Sequence, residues 1–355
     1  MAAARALLFV LFISFTLICS SSSATPRKTA RIYELRKGDF SIKLTNWGAT
    51  ILSVILPDSK GNLADVALAY EGIGSYINGT TNFGALIGRV ANRIAGSRFV
   101  LNGTAHRLYP NDGKNSLHGG HRGFSRVFWT VEEKVDGEFP YITFYYNSFD
   151  GEQGFPGDLN VFVTYKISGP YELSVIMKAS PRTKATPVNL AQHNYWNLGG
   201  HNSGSILSNK VQIFASLITP VDENLIPVGS ISSVTETPYD FLKPQTVGSR
   251  IDEVEGGYDI NYVVNGNGMK KVAIVKDERS GRQFELWSNQ PGVQFYTGNF
   301  LDHVEGKGGV IYEKYAGLCL ETQGFPDSVN HLQFPSQIVN PGEVYKHDMV
   351  FKFSF

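Results

Sequence analysis

The chain has 355 residues, and its 32 Lys and Arg balance 32 Asp and Glu to a formal charge of zero, which removes the broad basic field that nucleic-acid binding draws on. Hydrophobic residues make up 42% and aromatics 12% of the chain, which excludes a disordered protein. The 37 Gly and 16 Pro supply many tight turns and leave little room for long helices.

In chain order, the first element reads as a leader. Arg5 is the sole charge before Thr25, the run Ala6–Cys19 is almost wholly apolar, and Ser20 to Ala24 are small. That order predicts a secretory signal peptide over residues 1–24, because its apolar core falls short of the ~20 residues a bilayer crossing needs. A buried amino-terminal strand is the competing reading. Cleavage after Ala24 would leave a secreted chain, 25–355, with Cys319 as its one cysteine and no later run able to span a membrane. Stability must then come from a large core, not from a disulfide. The sequons Asn78-Gly79-Thr80 and Asn102-Gly103-Thr104 fit a glycosylating route in a eukaryotic cell, with Asn78 and Asn102 as the acceptors.

From Asp39 onward the apolar residues alternate. Phe40, Ile42 and Leu44 set among Ser41, Lys43 and Thr45 give the period of a half-buried strand, and similar runs recur almost to the end. Turn residues separate them at Pro57–Asn62, Asn102-Gly103, Asp136-Gly137, Ser168-Gly169-Pro170, Asn265–Gly268 and Ser280-Gly281. Arg98–Leu101, Asn102-Gly103 and Thr104–Tyr109 form the clearest hairpin. Val161, Val163, Tyr165 and Ile167 before Ser168-Gly169-Pro170, with Leu173, Val175 and Met177 after it, form another. No long stretch carries a 3.6-residue period. The expected fold is all-β, with antiparallel sheets packed face to face in one domain over 25–355.

The chain has no G-x-S-x-G, H-E-x-x-H, C-x-x-C or P-loop motif, so the usual signatures of serine hydrolysis, zinc proteolysis and nucleotide binding are missing. Acid-base chemistry by His and carboxylates remains. His118 lies in Leu117-His118-Gly119-Gly120-His121-Arg122-Gly123, which suits either a binding loop or a Gly-rich turn with a solvated His. No third ligand spaced for metal accompanies His118 and His121, so no metal is expected. His193 stands in Gln192-His193-Asn194-Tyr195-Trp196-Asn197, where amides and aromatic faces beside an imidazole match a sugar's hydroxyls and C–H face; a core His satisfied by those amides is the alternative. Glu321 follows the apolar Gly317–Leu320 as though at a strand end, where burial would raise its pKa toward that of a working base unless a buried Arg pairs with it. Asn92 and Arg93 add a donor set suited to hydroxyl or carboxylate groups, Asp259 and Gln294 complete the polar residues at turns or strand ends, and Cys319 reads as a buried inert thiol.

Taken in this order, these segments resemble the aldose 1-epimerase family, the galactose mutarotases, from about Tyr33 to the carboxyl end. The resemblance implies a β-supersandwich and cofactor-free interconversion of the α and β anomers of free hexoses such as galactose and glucose. By matching motifs it implies Glu321 as general base, a protonated His193 as general acid and His118 as a second site histidine. Asn92, Arg93, Asn194, Tyr195, Asp259 and Gln294 would bind the sugar. One departure is Ile260, where the family often has His after the Asp of its Gly-Tyr-Asp motif. A glycoside hydrolase using Glu321 and Asp259, or a secreted carbohydrate-binding protein, would use the same residues differently.

Overall fold

The structure, a computed structural model, describes residues 29–355; the expected leader and its cleavage point lie outside the described residues. Nearly all regular structure is strand, and every ladder is antiparallel. Nine strands make the largest sheet, in the order Thr130–Val135, Tyr141–Ser148, Leu159–Gly169, Glu172–Pro181, Tyr345–Ser354, Gln283–Ser288, Lys270–Lys276, Lys210–Ile213, Gln245–Thr246. A second sheet has five strands, Ser232–Ser233, Leu217–Thr219, Asp259–Val263, Gly292–Tyr296 and Cys319–Gln323; a third has four, Ile32–Lys37, Phe40–Thr45, Thr50–Pro57 and Leu63–Asp65.

Alternation explains how these sheets share one core. Leu159, Val161, Val163, Tyr165 and Ile167 are fully buried while their sequence neighbours are half-exposed, the expected division for a sheet with one covered face. Leu173, Val175, Met177, Met349, Phe351 and Phe284 continue that face, and Phe40, Ile42 and Leu44 of the four-stranded sheet pack into the same cluster. Phe40 meets Phe353 with ring centroids 5.7 Å apart. The Phe40–Thr45 strand differs from the half-buried expectation: Ser41 and Thr45 are also buried, leaving only Lys43 exposed.

Both expected hairpins form. Leu101 pairs with Thr104 across Asn102 and Gly103, whose φ values of 51° and 76° are the left-handed pair a two-residue turn requires. Leu159–Gly169 pairs with Glu172–Pro181, the chain reversing with Tyr171 at φ 52°. The one α-helix among the described residues, Ile73–Asn78, spans only 6 residues, too few to register as a period. No described helix is long and apolar enough to cross a membrane.

Candidate active site

Three adjacent strands of the five-stranded sheet carry the acidic side of the site. Their register sets Asn261 opposite Gln294 and Gln294 opposite Glu321. Since residues two apart on a strand share a face, Asp259, Gln294, Tyr296, Cys319 and Glu321 lie on one side, and Ile260, Phe295 and Leu320 point into the main core on the other. Glu321 and Gln294 are therefore mid-strand, not at strand ends as expected, because the apolar residues before each belong to the opposite face. Ile260, buried in that core, does not line the cavity.

The same alternation sorts the histidine segment. Ala191–His193 pairs with Ala85–Ile87, and His193 and Tyr195 share the site side, their rings stacked at 5.2 Å and 23°. Trp196 faces away, packed on Phe284, Phe351 and Phe353, so the expected second aromatic face belongs to the core. Asn194 is displaced too: its Oδ1 accepts from Gln192 Nε2 at 3.3 Å, and it is not part of the cavity wall.

Asn92 and His118 enter from a different direction. They flank the short ladder of Arg93–Ile94 with Ser116–Leu117, both at positive φ, 63° and 54°. The Asn92 N–H donates to His118 Nδ1 at 3.2 Å, and the His118 N–H donates to the Asn92 carbonyl at 3.1 Å. Gly119 permits this approach, since a Cβ there would lie 2.0 Å from the Gly88 carbonyl oxygen. Arg93 is held by Asp112, Nε to Oδ2 at 2.8 Å. Asp112 was not anticipated; its only sequence signal is the Asn111-Asp112-Gly113 turn.

These groups converge on a cavity of about 200 Å³, with Glu321, His193, His118, Asn92, Arg93, Asp259 and Gln294 in its wall. The sequence reading also missed Thr80, Thr81, Asn82 and Phe300 in that wall. Phe300 is 71% exposed, and an isolated loop Phe carries no legible signal. His193 Nε2 lies 3.5 Å from Glu321 Oε1, and its Nδ1 lies 3.7 Å from Cys319 Sγ. Those neighbours and its own backbone carbonyl, not the surrounding side-chain amides, are what the ring nitrogens meet.

Glu321 is 2% exposed, and its Oε2 has no hydrogen-bond partner among the described residues. Burial, and then the Asp259 carboxylate, push its pKa well above the usual range against the pull of Arg93. Burial likewise raises Asp259, opposed by Arg93 and by the 2.7 Å bond from Gln294 Nε2. Burial lowers His193 to about 4, and it lowers His118 well below its ordinary value, with His193 and Arg93 adding repulsion. Burial thus disfavours the imidazolium that a general acid requires, because a buried cation is costly. A raised carboxyl beside a lowered imidazole is the pattern of two groups able to share one proton.

Ligand atoms of His118, His193 and Glu321 lie within 4.8 Å of one another, a spacing that invites comparison with a metal centre. His121 is elsewhere, against Tyr109. The donor set fits a metal poorly. A metal-bound histidine donates its second N–H to an acceptor, whereas His118 Nδ1 accepts from a backbone N–H, leaving its hydrogen on Nε2 and neither nitrogen free.

Comparison with known proteins bears on the chain as a whole. The family model described as aldose 1-epimerase matches residues 31–352. Galactose mutarotase of Mus musculus is 43% identical over 329 residues, covering 92% of this chain and 94% of that protein. Aldose 1-epimerase of Escherichia coli strain K12 is 36% identical over 313 residues, or 86% and 89% of the two chains. Among solved structures, an aldose epimerase homologue from C. elegans superposes with a TM-score of 0.86 at 27% identity, covering 92% of this chain and 99% of that one.

Proposed function

The chain belongs to the aldose 1-epimerase family and is an isomerase, and from that premise we propose that it interconverts the α and β anomers of free hexoses, galactose and glucose among them, through Glu321 and His193. The observation that carries this reading is the 3.5 Å contact between the two groups at the cavity wall. When their shared proton rests on His193, Glu321 is a carboxylate with an unpartnered oxygen and His193 an imidazolium, the ionisation that ring opening needs. Glu321 takes the proton of the anomeric hydroxyl, His193 gives one to the ring oxygen, and the C1–O5 bond breaks as the C1 carbonyl forms. Rotation about C1–C2 turns the other carbonyl face toward O5. Closure then returns a proton from O5 to His193 and one from Glu321 to O1. His118 Nε2–H and the free nitrogens of Arg93 serve as donors to sugar oxygens, while Asp259 accepts. No metal or nucleotide enters the scheme.

Polarimetry on freshly dissolved α-D-galactose and α-D-glucose tests it. Faster approach to anomeric equilibrium is the expected result. Binding without acceleration would establish a carbohydrate-binding protein instead, and cleavage of a glycoside would establish a hydrolase.

The proposal extends to location. The charge, apolar and small-residue order of residues 1–24 supports secretion, and the exposed Asn78 and Asn102 would then carry glycans. Amino-terminal sequencing and intact mass of protein from the native host decide; a chain still beginning at Met1 would rule out cleavage.

A further inference from the structure

Building on the acid-base roles proposed above for Glu321 and His193, we propose that Cys319 is a positioning residue whose Sγ accepts the Nδ1–H of His193 and thereby keeps Nε2 turned to Glu321 and the sugar ring oxygen. Cys319 precedes Glu321 by two residues on the strand Cys319–Gln323 and so shares its face. Its Sγ lies 3.7 Å from Nδ1 within a buried cluster that includes Leu68, Tyr195 and Tyr296.

The argument follows the hydrogens. Oε1 of Glu321 meets Nε2 at 3.5 Å. If the shared proton is on Glu321, its O–H needs the Nε2 lone pair as acceptor, so the ring hydrogen sits on Nδ1. If the proton is on the ring, both nitrogens carry hydrogen. While the pair holds its proton, Nδ1 is a donor whichever partner carries it, and the acceptors beside it are Sγ and the residue's own backbone carbonyl. With Glu321 ionised and the ring neutral the hydrogen would sit on Nε2 instead, and the ring 15N assignment distinguishes the two. The thiol remains neutral, because burial and the Glu321 and Asp259 carboxylates raise its pKa; it accepts without adding a competing charge. The other titratable groups around the ring are Tyr195 stacked on it, His118 edge-on at 5.2 Å, Tyr296 on the neighbouring strand, and Asp259 and Arg93 in the cavity wall. Removing a sulfur acceptor therefore weakens the imidazolium specifically, while the cavity's charges stay the same.

The test combines ring 15N spectroscopy with kinetics on the full chain. In the unsubstituted protein, with histidine rings labelled, His193 Nδ1 should show the shift of a protonated nitrogen and Nε2 that of an acceptor. The opposite assignment overturns the proposal, and this measurement decides even if no mutarotation is detected. In C319A, kcat should fall roughly fivefold with KM unchanged, as for one modest hydrogen bond, and the acidic limb of the rate profile should move to lower pH. C319S, which keeps an acceptor, should restore most of kcat. A C319A protein with unaltered kcat and acidic limb would also overturn it. Should C319A fail to fold, the 15N assignment and C319S still decide.

Discussion

Glu321→Gln separates a catalytic carboxyl from a structural one. The substitution preserves side-chain size and leaves an amide able to meet His193 Nε2 across the present 3.5 Å, so the cavity keeps its shape and loses only its base. Positioned proton transfer contributes roughly 10² to 10⁴ in rate, which is about 2.7 to 5.4 kcal/mol of barrier at 1.36 kcal/mol per decade. Turnover should fall by that factor while sugar affinity changes little. Stability should respond in the opposite sense. Because burial raises the folded-state pKa of Glu321 above its ordinary 4.5, the unfolded chain ionises first as pH rises. The stability this carboxyl permits is therefore intact below that ordinary value and lost progressively above it. Gln has no such loss, so Glu321→Gln should melt at or above the wild-type temperature, with a gap that widens as pH rises above 4.5. Polarimetric initial rates and calorimetry at several pH values measure both. A variant that stays folded, binds galactose and keeps near-normal turnover refutes the assignment of the base. One that loses melting temperature along with activity refutes the strained-carboxyl argument.

The pH profile should follow the proton shared by Glu321 and His193: activity persists down to about pH 4, where the neutral imidazole takes up a second proton, and declines on the alkaline side as the pair loses its last one. An acidic limb at the ordinary imidazole value of 6.5 would contradict the burial argument. Prolonged dialysis against EDTA should leave turnover unchanged, since His118 Nδ1 is engaged by the Asn92 N–H; a loss restored by one divalent ion would contradict this. Arg89→Met should cost about 3 to 5 kcal/mol of stability, measured by denaturant titration. It strands the carbonyls of Pro156 and Gly157 and the hydroxyls of Thr186 and Ser148 that the buried guanidinium now bridges, and leaves the nearby Glu152 without its cation.

Much of this was legible in the sequence where one physical rule acts alone. Strict alternation at Val161–Ile167 and the Asn102-Gly103 turn announced their strands and hairpins because side-chain period and turn geometry are local. The site histidines and Glu321 stood out by their neighbours. What local reading could not supply was the side of the sheet each residue faces. Trp196 looked like a sugar platform until its partners proved to be Phe351 and Phe353, and Asn194 looked like a ligand for the same reason. The lowering of the His193 pKa could not be read locally, because burial depends on strands far away in sequence. Asp112 and Phe300 join the site through tertiary folding with no motif of their own, and outside the cavity His347, whose Nε2 is 2.7 Å from Thr322 Oγ1 and whose Nδ1 is 3.1 Å from the Leu190 carbonyl oxygen, ties together the two segments that carry Glu321 and His193.

The reciprocal bonds between Asn92 and His118 have a bearing on how this pocket can be diversified. Each residue sits at positive φ, a region that β-branched side chains avoid and Asn and His tolerate better than most. Saturation libraries at these two positions should therefore be depleted of Val, Ile and Thr among folded members, whatever sugar is used for selection. The part of the wall at Thr80, Thr81, Asn82 and Phe300 is more open to solvent than Asn92. New hexose preferences should accumulate there, with the Asn92 and His118 pair inherited unchanged.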